Sequence, residues 1–95
     1  MTSREIQTQF AARGENRGGI VMFTPAIALE MIEASRNSGV AVLGLDGFWL
    51  TGKTTQPSME HSVDYSRDLT DCWTRAADFV RKVIAPGMFV EVVLE

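Results

Sequence analysis

The sequence predicts an α+β fold in which two helices pack on one face of a mostly antiparallel sheet of three to five strands. Two segments have helical periodicity, one beginning at Thr24-Pro25 and one ending before Pro86-Gly87. Apolar or alternating segments lie before, between and after them, which gives the order β-α-β-β-(β)-α-β. A ferredoxin-like, split β-α-β arrangement is one member of this class.

The 95 residues predict a single domain, because the composition has no internal break. We place this α+β domain at residues 20–95. Residues 1–19 are predicted to be a polar N-terminal extension that contains a short helix over Thr2–Arg13. Thr2 and Glu5 have the spacing of a capping box at the start of that helix.

Met22 is an alternative starting point for the native protein. Arg17, Gly18 and Gly19 can be encoded by purine-rich triplets of the kind that a ribosome-binding site contains. Under this hypothesis, the residues before Met22 are an upstream extension.

The first predicted strand is Gly19–Phe23, and the first long helix follows it directly. Thr24 is a good N-cap, and Pro25 loses no hydrogen bond at the first helical position. Gly39 can end the helix in the left-handed conformation. The apolar face recurs at intervals of three and four residues and comprises Ile27, Ala28, Met31, Ile32 and Ser35.

The run Val40–Leu45 is apolar and partly β-branched, which is typical of a buried strand. Asp46-Gly47 follows and predicts a two-residue hairpin turn, with Phe48–Leu50 beginning the returning strand. Thr54–Ser58 is predicted to be a loop, because Pro57 lacks a backbone donor.

Alternation over Met59–Tyr65 predicts a half-buried strand, with Met59, His61, Val63 and Tyr65 on its inner face. A second helix is predicted from Arg67 or Asp68 to Ile84. Its apolar stripe comprises Leu69, Cys72, Trp73, Ala76, Val80 and Val83, which makes Cys72 and Trp73 core residues. The last strand is predicted over Met88–Glu95.

The segment Gly47–Thr54 matches the letters of a phosphate-binding loop, with Gly47, Gly52, Lys53 and Thr54 at the constrained positions. A working loop needs a helix that begins at the lysine, and the following Thr-Thr-Gln-Pro is a poor helix start. Three bulky apolar residues also occupy the loop, where exposed backbone amides should lie. We therefore interpret the match as accidental and predict no nucleotide cofactor.

Composition excludes several function classes. The net charge of −3 argues against a general attraction to nucleic acid or to an anionic membrane. Cys72 is the only cysteine, so an intramolecular disulfide is impossible and a reducing cytoplasm is the expected location. The chain has no apolar run of membrane-spanning length and no second histidine for a metal site.

The candidate functional residues favour a protein contact over catalysis. His61 is the only histidine, and in a regular strand Glu60 and Asp64 would face away from it, so no carboxylate would orient it as a base. We predict no catalytic and no metal-binding residue. The predicted partner-binding residues are Trp49, Lys53, Gln56, Glu60, His61 and Tyr65.

The segments "LGLDGF", "TTQPSMEHSVDYS" and "FVEVVL" together resemble small, largely uncharacterised bacterial proteins of the immunity-protein type. The resemblance covers Met22–Glu95. It implies a single cytoplasmic domain that binds and neutralises a toxin, without catalytic residues. The mild acidity suits a basic partner.

Two further expectations concern partners. If the last strand lies at a sheet edge, its free backbone groups can pair with another strand, in a homodimer or in a complex with a different protein. Glu91 and Glu95 share one face of that strand and can oppose aggregation. The alternative function is a small enzyme or ligand-binding protein with a pocket near Lys53, His61 and Tyr65.

Overall fold

A computed structural model describes residues 1–95 and confirms the α+β class. Three helices and five strands follow one another along the chain, and all strand pairs are antiparallel. In order they are α1 (Ser3–Ala11), β1 (Glu15–Arg17), β2 (Ile20–Met22), α2 (Pro25–Ser38), β3 (Val42–Leu50), β4 (Thr55–Asp64), α3 (Cys72–Lys82) and β5 (Phe89–Leu94).

The main sheet has the strand order β4-β3-β5, and β1 and β2 form a separate two-stranded hairpin. A single bridge between Phe23 and Val90 connects the end of β2 to the outer side of β5. Each β-α-β connection therefore skips one strand: β5 lies between β2 and β3, while β3 lies between β4 and β5. Each β-α-β unit is therefore split by one antiparallel strand.

Local signals set the limits of α2 as predicted. The Thr24 side chain accepts a hydrogen bond from the Ile27 amide, and Pro25 occupies the first turn. Gly39 ends the helix in the left-handed conformation with φ 69°. Because only glycine adopts this φ without steric cost, the chain turns sharply here into Val40 and the central strand.

The helices cover one face of the sheet and enclose the main hydrophobic cluster. Leu45 of β3 and Val90 of β5 point into this cluster, and the side chains of α2 and α3 fill it from the other side. Cys72 is 1% exposed, as predicted. Trp73 is half-buried against the cluster, and its indole N–H donates to the Val40 carbonyl at 2.8 Å.

The N-terminal segment is structured and contributes to this core. The capping box of Thr2 and Glu5 begins α1 as predicted. Ile6 and Phe10 are 0% and 5% exposed and belong to the main cluster. A bidentate pair between Arg13 and Glu30, with N–O distances of 3.0 and 2.8 Å, ties the segment after α1 to α2. The domain boundary at residue 19 stays a prediction.

The β1–β2 hairpin turns through Gly18 and Gly19, both with positive φ. This geometry belongs to the two-residue turns that suit β-hairpins. The Arg17 guanidinium donates to the Thr54 carbonyl at 3.3 Å, so the turn of this hairpin lies beside the turn between β3 and β4.

The predicted turn at Asp46-Gly47 is wrong, because both residues lie inside β3. A side chain at Gly47 would meet the His61 carbonyl oxygen at 2.7 Å and the Met88 methyl at 3.0 Å. The glycine therefore allows a close approach and does not make a turn. The chain reverses instead at Thr51–Thr54, where the Thr51 amide donates to the Thr54 carbonyl at 2.9 Å.

Two other predicted boundaries are also corrected. The predicted loop Thr54–Ser58 is mostly strand, since β4 begins at Thr55 and tolerates Pro57 because it is an edge strand. The second long helix begins only at Cys72, after Asp71 with φ 51°. Leu69 and Val83 consequently lie outside α3 and are 38% and 39% exposed.

Candidate partner-contact surface

An irregularity in β4 places the predicted site residues. Gly47 of β3 lies opposite Ser58, whereas its neighbour Asp46 lies opposite Ser62. Residues 59–61 are therefore extra residues that bulge out of the ladder. The Ser62 hydroxyl donates to the Ser58 carbonyl at 2.8 Å and closes the base of this bulge.

His61 is half-buried at the end of the bulge. Its Nδ1 lies 2.7 Å from the Ser58 hydroxyl oxygen, which fixes the orientation of the imidazole ring. This serine–histidine contact has no carboxylate hydrogen-bonded to the ring, so it lacks the third member of a hydrolase triad. The contact joins the two ends of the bulge.

Trp49 packs against His61 and remains accessible. The two rings meet edge to face, with centroids 6.4 Å apart and planes at 81°. Trp49 is 41% exposed, and Met59 in the bulge is 88% exposed. The predicted inner position of Met59 is wrong, because the bulge interrupts the alternation of the strand. Two large apolar side chains are thus exposed near His61: Trp49, whose ring contacts it, and Met59, which lies two residues before it in the bulge.

The remaining polar candidates surround this region. Gln56 lies opposite Trp49 in the β3–β4 ladder, and Glu60 belongs to the bulge; both are exposed. Lys53 is exposed in the turn between the strands and forms no ion pair. No helix begins at Lys53, so the segment lacks the helix that a phosphate-binding loop requires. We call Trp49, Gln56, Met59, Glu60 and His61 the Trp49 surface.

Tyr65 lies away from the Trp49 surface. Its amide donates to the Leu43 carbonyl. Leu43 lies near the end of β3 that is opposite to the turn with Lys53, so Tyr65 and Lys53 are roughly 20 Å apart at the rise per residue of a β-strand. Tyr65 is only 5% exposed, and the Arg75 guanidinium lies 4.5 Å from its ring centroid. The structure therefore does not bring Lys53, His61 and Tyr65 together in one pocket, and Tyr65 is a packing residue.

Ser58 and Met59 also belong with the site, although neither is among the predicted partner-binding residues. Ser58 was predicted to lie in a loop, and Met59 on a buried face. The available signal is Gly47 within an apolar strand, since an isolated strand glycine suggests a bulge or a close backbone approach.

A pair of carboxylates occupies the sheet face that the helices leave uncovered. Asp46 and Glu91 lie directly opposite each other on β3 and β5. Partial burial raises the pKa of Glu91 above its ordinary value of 4.5, and the negative charge of Asp46 raises it further. Neither carboxylate has a basic partner within salt-bridge distance.

Glu91→Gln is expected to stabilise the protein near pH 7. A carboxyl group whose pKa is raised by folding favours the folded state below its ordinary pKa, and this contribution is lost as pH rises through the raised value. The gain should stay within about 1 kcal/mol, because the group is largely solvated. Urea unfolding near pH 7 and pH 4 measures it, with the exposed Glu33→Gln as control. An unchanged or lower stability near pH 7 would contradict this expectation.

No cluster of three or more histidine, cysteine, aspartate or glutamate side chains is arranged to hold a metal ion. None of the helices has the length and apolarity needed to cross a membrane. Comparison with protein-family models and with curated proteins found no match for this chain.

Proposed function

We propose that this chain is a non-enzymatic bacterial protein-binding domain of the immunity type, which acts in the cytoplasm and neutralises a toxin by covering part of its surface. The observation that carries the proposal is the exposure of Trp49, whose ring packs against His61, and of Met59, which lies two residues before His61 in the bulge. Tryptophan is enriched among residues that dominate binding energy, and methionine adapts to varied partner surfaces.

The geometry of Trp49 favours a binding role. Its edge-to-face contact with His61 limits the movement of the indole, so less side-chain entropy is lost when a partner covers it. His61 is in turn held by Ser58. Lys53, Gln56 and Glu60 supply polar groups around the apolar centre, which is the usual composition of an interface rim. The net charge of −3 favours a basic partner.

The test is toxin neutralisation in cells. The chain is co-expressed with the toxin-like product of a neighbouring gene, and growth and complex formation are measured. The variant Trp49→Ala/Met59→Glu should abolish growth protection and weaken binding at least about 30-fold, which corresponds to the loss of a hot-spot residue.

A matched control separates the Trp49 surface from exposed apolar area in general. Leu69 and Val83 are nearly as exposed as Trp49 but lie outside the Trp49 surface. Leu69→Glu/Val83→Glu should therefore retain protection and bind within about twofold of the unchanged chain, on the rule that residues outside the hot spot contribute little. If the Trp49/Met59 variant folds and still protects, the proposal is wrong.

A further inference from the structure

Strands β2 and β5 begin to pair and then separate. The Phe23 amide donates to the Val90 carbonyl at 2.8 Å, and the Val90 amide donates to the Phe23 carbonyl at 2.7 Å. An antiparallel ladder in this register would next join Val21 to Val92. The pairing stops before that point, because only the Phe23–Val90 bridge is formed. A cavity of about 190 Å³ lies there, and Val21 and Val92 line it.

Four backbone groups face this cavity. In an antiparallel strand, successive residues direct their N–H and C=O groups to alternate sides. Val92 is two residues from Val90, so its backbone N–H and C=O point away from β3 and toward β2. Val21 is two residues from Phe23, so its backbone N–H and C=O point toward β5 in the same way. Outside the regular ladders, no backbone hydrogen bond involves Val21 or Val92. Two donors and two acceptors therefore converge on the gap without protein partners.

The surroundings make this gap a defined cleft. Val92 is 6% exposed, since its side chain lies in the core, and its backbone edge is reached through the cavity. Phe23 and Met31 line the cavity with apolar side chains, and Gln7 and Glu91 line it with polar groups. Unpaired backbone groups at a strand edge are a template for another strand, so a ligand that supplies both a donor and an acceptor is favoured.

We propose that the cleft between β2 and β5 binds an extended peptide segment of a partner protein, whose backbone adds to the β5 edge at Val92. The N–H and C=O of one extended peptide residue can pair with the C=O and N–H of Val92, as in other cases of strand addition. Glu91 at the cleft favours a peptide with basic residues. This site is separate from the Trp49 surface and does not depend on it.

A second copy of the chain is a poorer occupant of the cleft. The chain's other free strand edges are those of β4, which contains Pro57 and the bulge at residues 59–61, and of β1, which has only three residues. Proline and bulges both disfavour pairing between strand edges. The edge of β5 in a second copy lies within the same cleft behind Gln7. None of these edges is a long, regular strand that is free to enter the cleft.

The test uses a capped peptide of alternating threonine and valine with a lysine at each end. Amide hydrogen exchange of the full chain is measured by NMR, with and without the peptide. The Val92 amide should exchange faster than the Val90 amide in the free chain, and the peptide should slow it at least about tenfold. The same peptide N-methylated at every backbone nitrogen has no donor on either edge and should have no effect.

Two variants distinguish binding in the cleft from binding elsewhere. Gln7 and Gln9 are both exposed on α1, but only Gln7 lines the cavity. Gln7→Trp should abolish the effect of the peptide on Val92, whereas Gln9→Trp should leave it unchanged. The proposal is overturned if millimolar peptide does not slow exchange at Val92. It is also overturned if Val92 becomes protected at high protein concentration without peptide, because the occupant would then be a second copy.

Discussion

Gly47→Ala is expected to destabilise the protein by about 3 kcal/mol, at the upper end of the usual cost of overpacking. The added methyl group would lie 2.7 Å from the His61 carbonyl oxygen and 2.8 Å from the His61 Cβ. Backbone on the facing strand cannot move aside as a flexible side chain can. Relief of the clash must therefore separate β3 from β4 and displace the bulge that carries His61.

Gly52→Ala provides the control, because nothing lies within 4 Å of a side chain at that position. Its free energy of unfolding should stay within about 0.5 kcal/mol of the unchanged protein, as for most surface substitutions. Urea unfolding followed by tryptophan fluorescence measures both variants. Equal stabilities would show that the close approach at Gly47 is not a packing constraint. The two glycines belong to one apparent phosphate-binding motif, yet they meet different physical demands.

Ile6→Ala and Phe10→Ala should have the second large effect. Both side chains are buried in the main cluster, so each truncation removes transfer free energy and leaves a cavity. Typical costs are about 2–5 kcal/mol for isoleucine and 3–5 kcal/mol for phenylalanine. Since small domains are stable by about 5–15 kcal/mol, the double variant is expected to be largely unfolded at room temperature.

Exposed positions of the same helix serve as the comparison. Arg4→Ala and Gln9→Ala remove side chains from α1 without opening the core, and their unfolding free energies should change little. Circular dichroism during urea unfolding measures all four single variants. If Ile6→Ala and Phe10→Ala change stability no more than these controls, residues 1–19 act as an extension, as the sequence analysis predicted. A loss of several kcal/mol would instead make α1 part of the folding unit.

The elements that the sequence predicted well have local causes. A threonine cap, a proline in the first turn and a left-handed glycine set the limits of α2, and each acts within a few residues. The capping box of α1 is equally local. The alternation of β5 places Val90, Val92 and Leu94 in the core. Such signals can be read from sequence because they need no knowledge of distant partners.

The failures arise where distant contacts decide the structure. Asp46-Gly47 has a strong local tendency to turn, but Gly47 is required where β3 meets His61 and Met88. Pro57 would break a central strand, yet β4 is an edge strand and keeps it. The β1–β2 hairpin was not predicted, although the adjacent glycines Gly18 and Gly19 suit a two-residue turn.

The candidate site was predictable only in part. Trp49 was predicted to be a contact residue and is exposed; its contact role stays a prediction. Tyr65 was grouped with His61 by sequence proximity, but the strand carries it to the other end of the hairpin. Met59 owes its exposure to the bulge. The composition of the Trp49 surface therefore depends on strand register, which local sequence patterns did not reveal.

The burial of the single thiol makes Cys72 a reporter of local opening. Cys72 is 1% exposed and is the only cysteine, so a thiol-specific reagent can react only when the chain opens around α3. The labelling rate in the absence of denaturant then reports how often that opening occurs. Mass spectrometry of the single adduct would record these openings without any engineered label. A ligand that closes the structure would slow the labelling of Cys72.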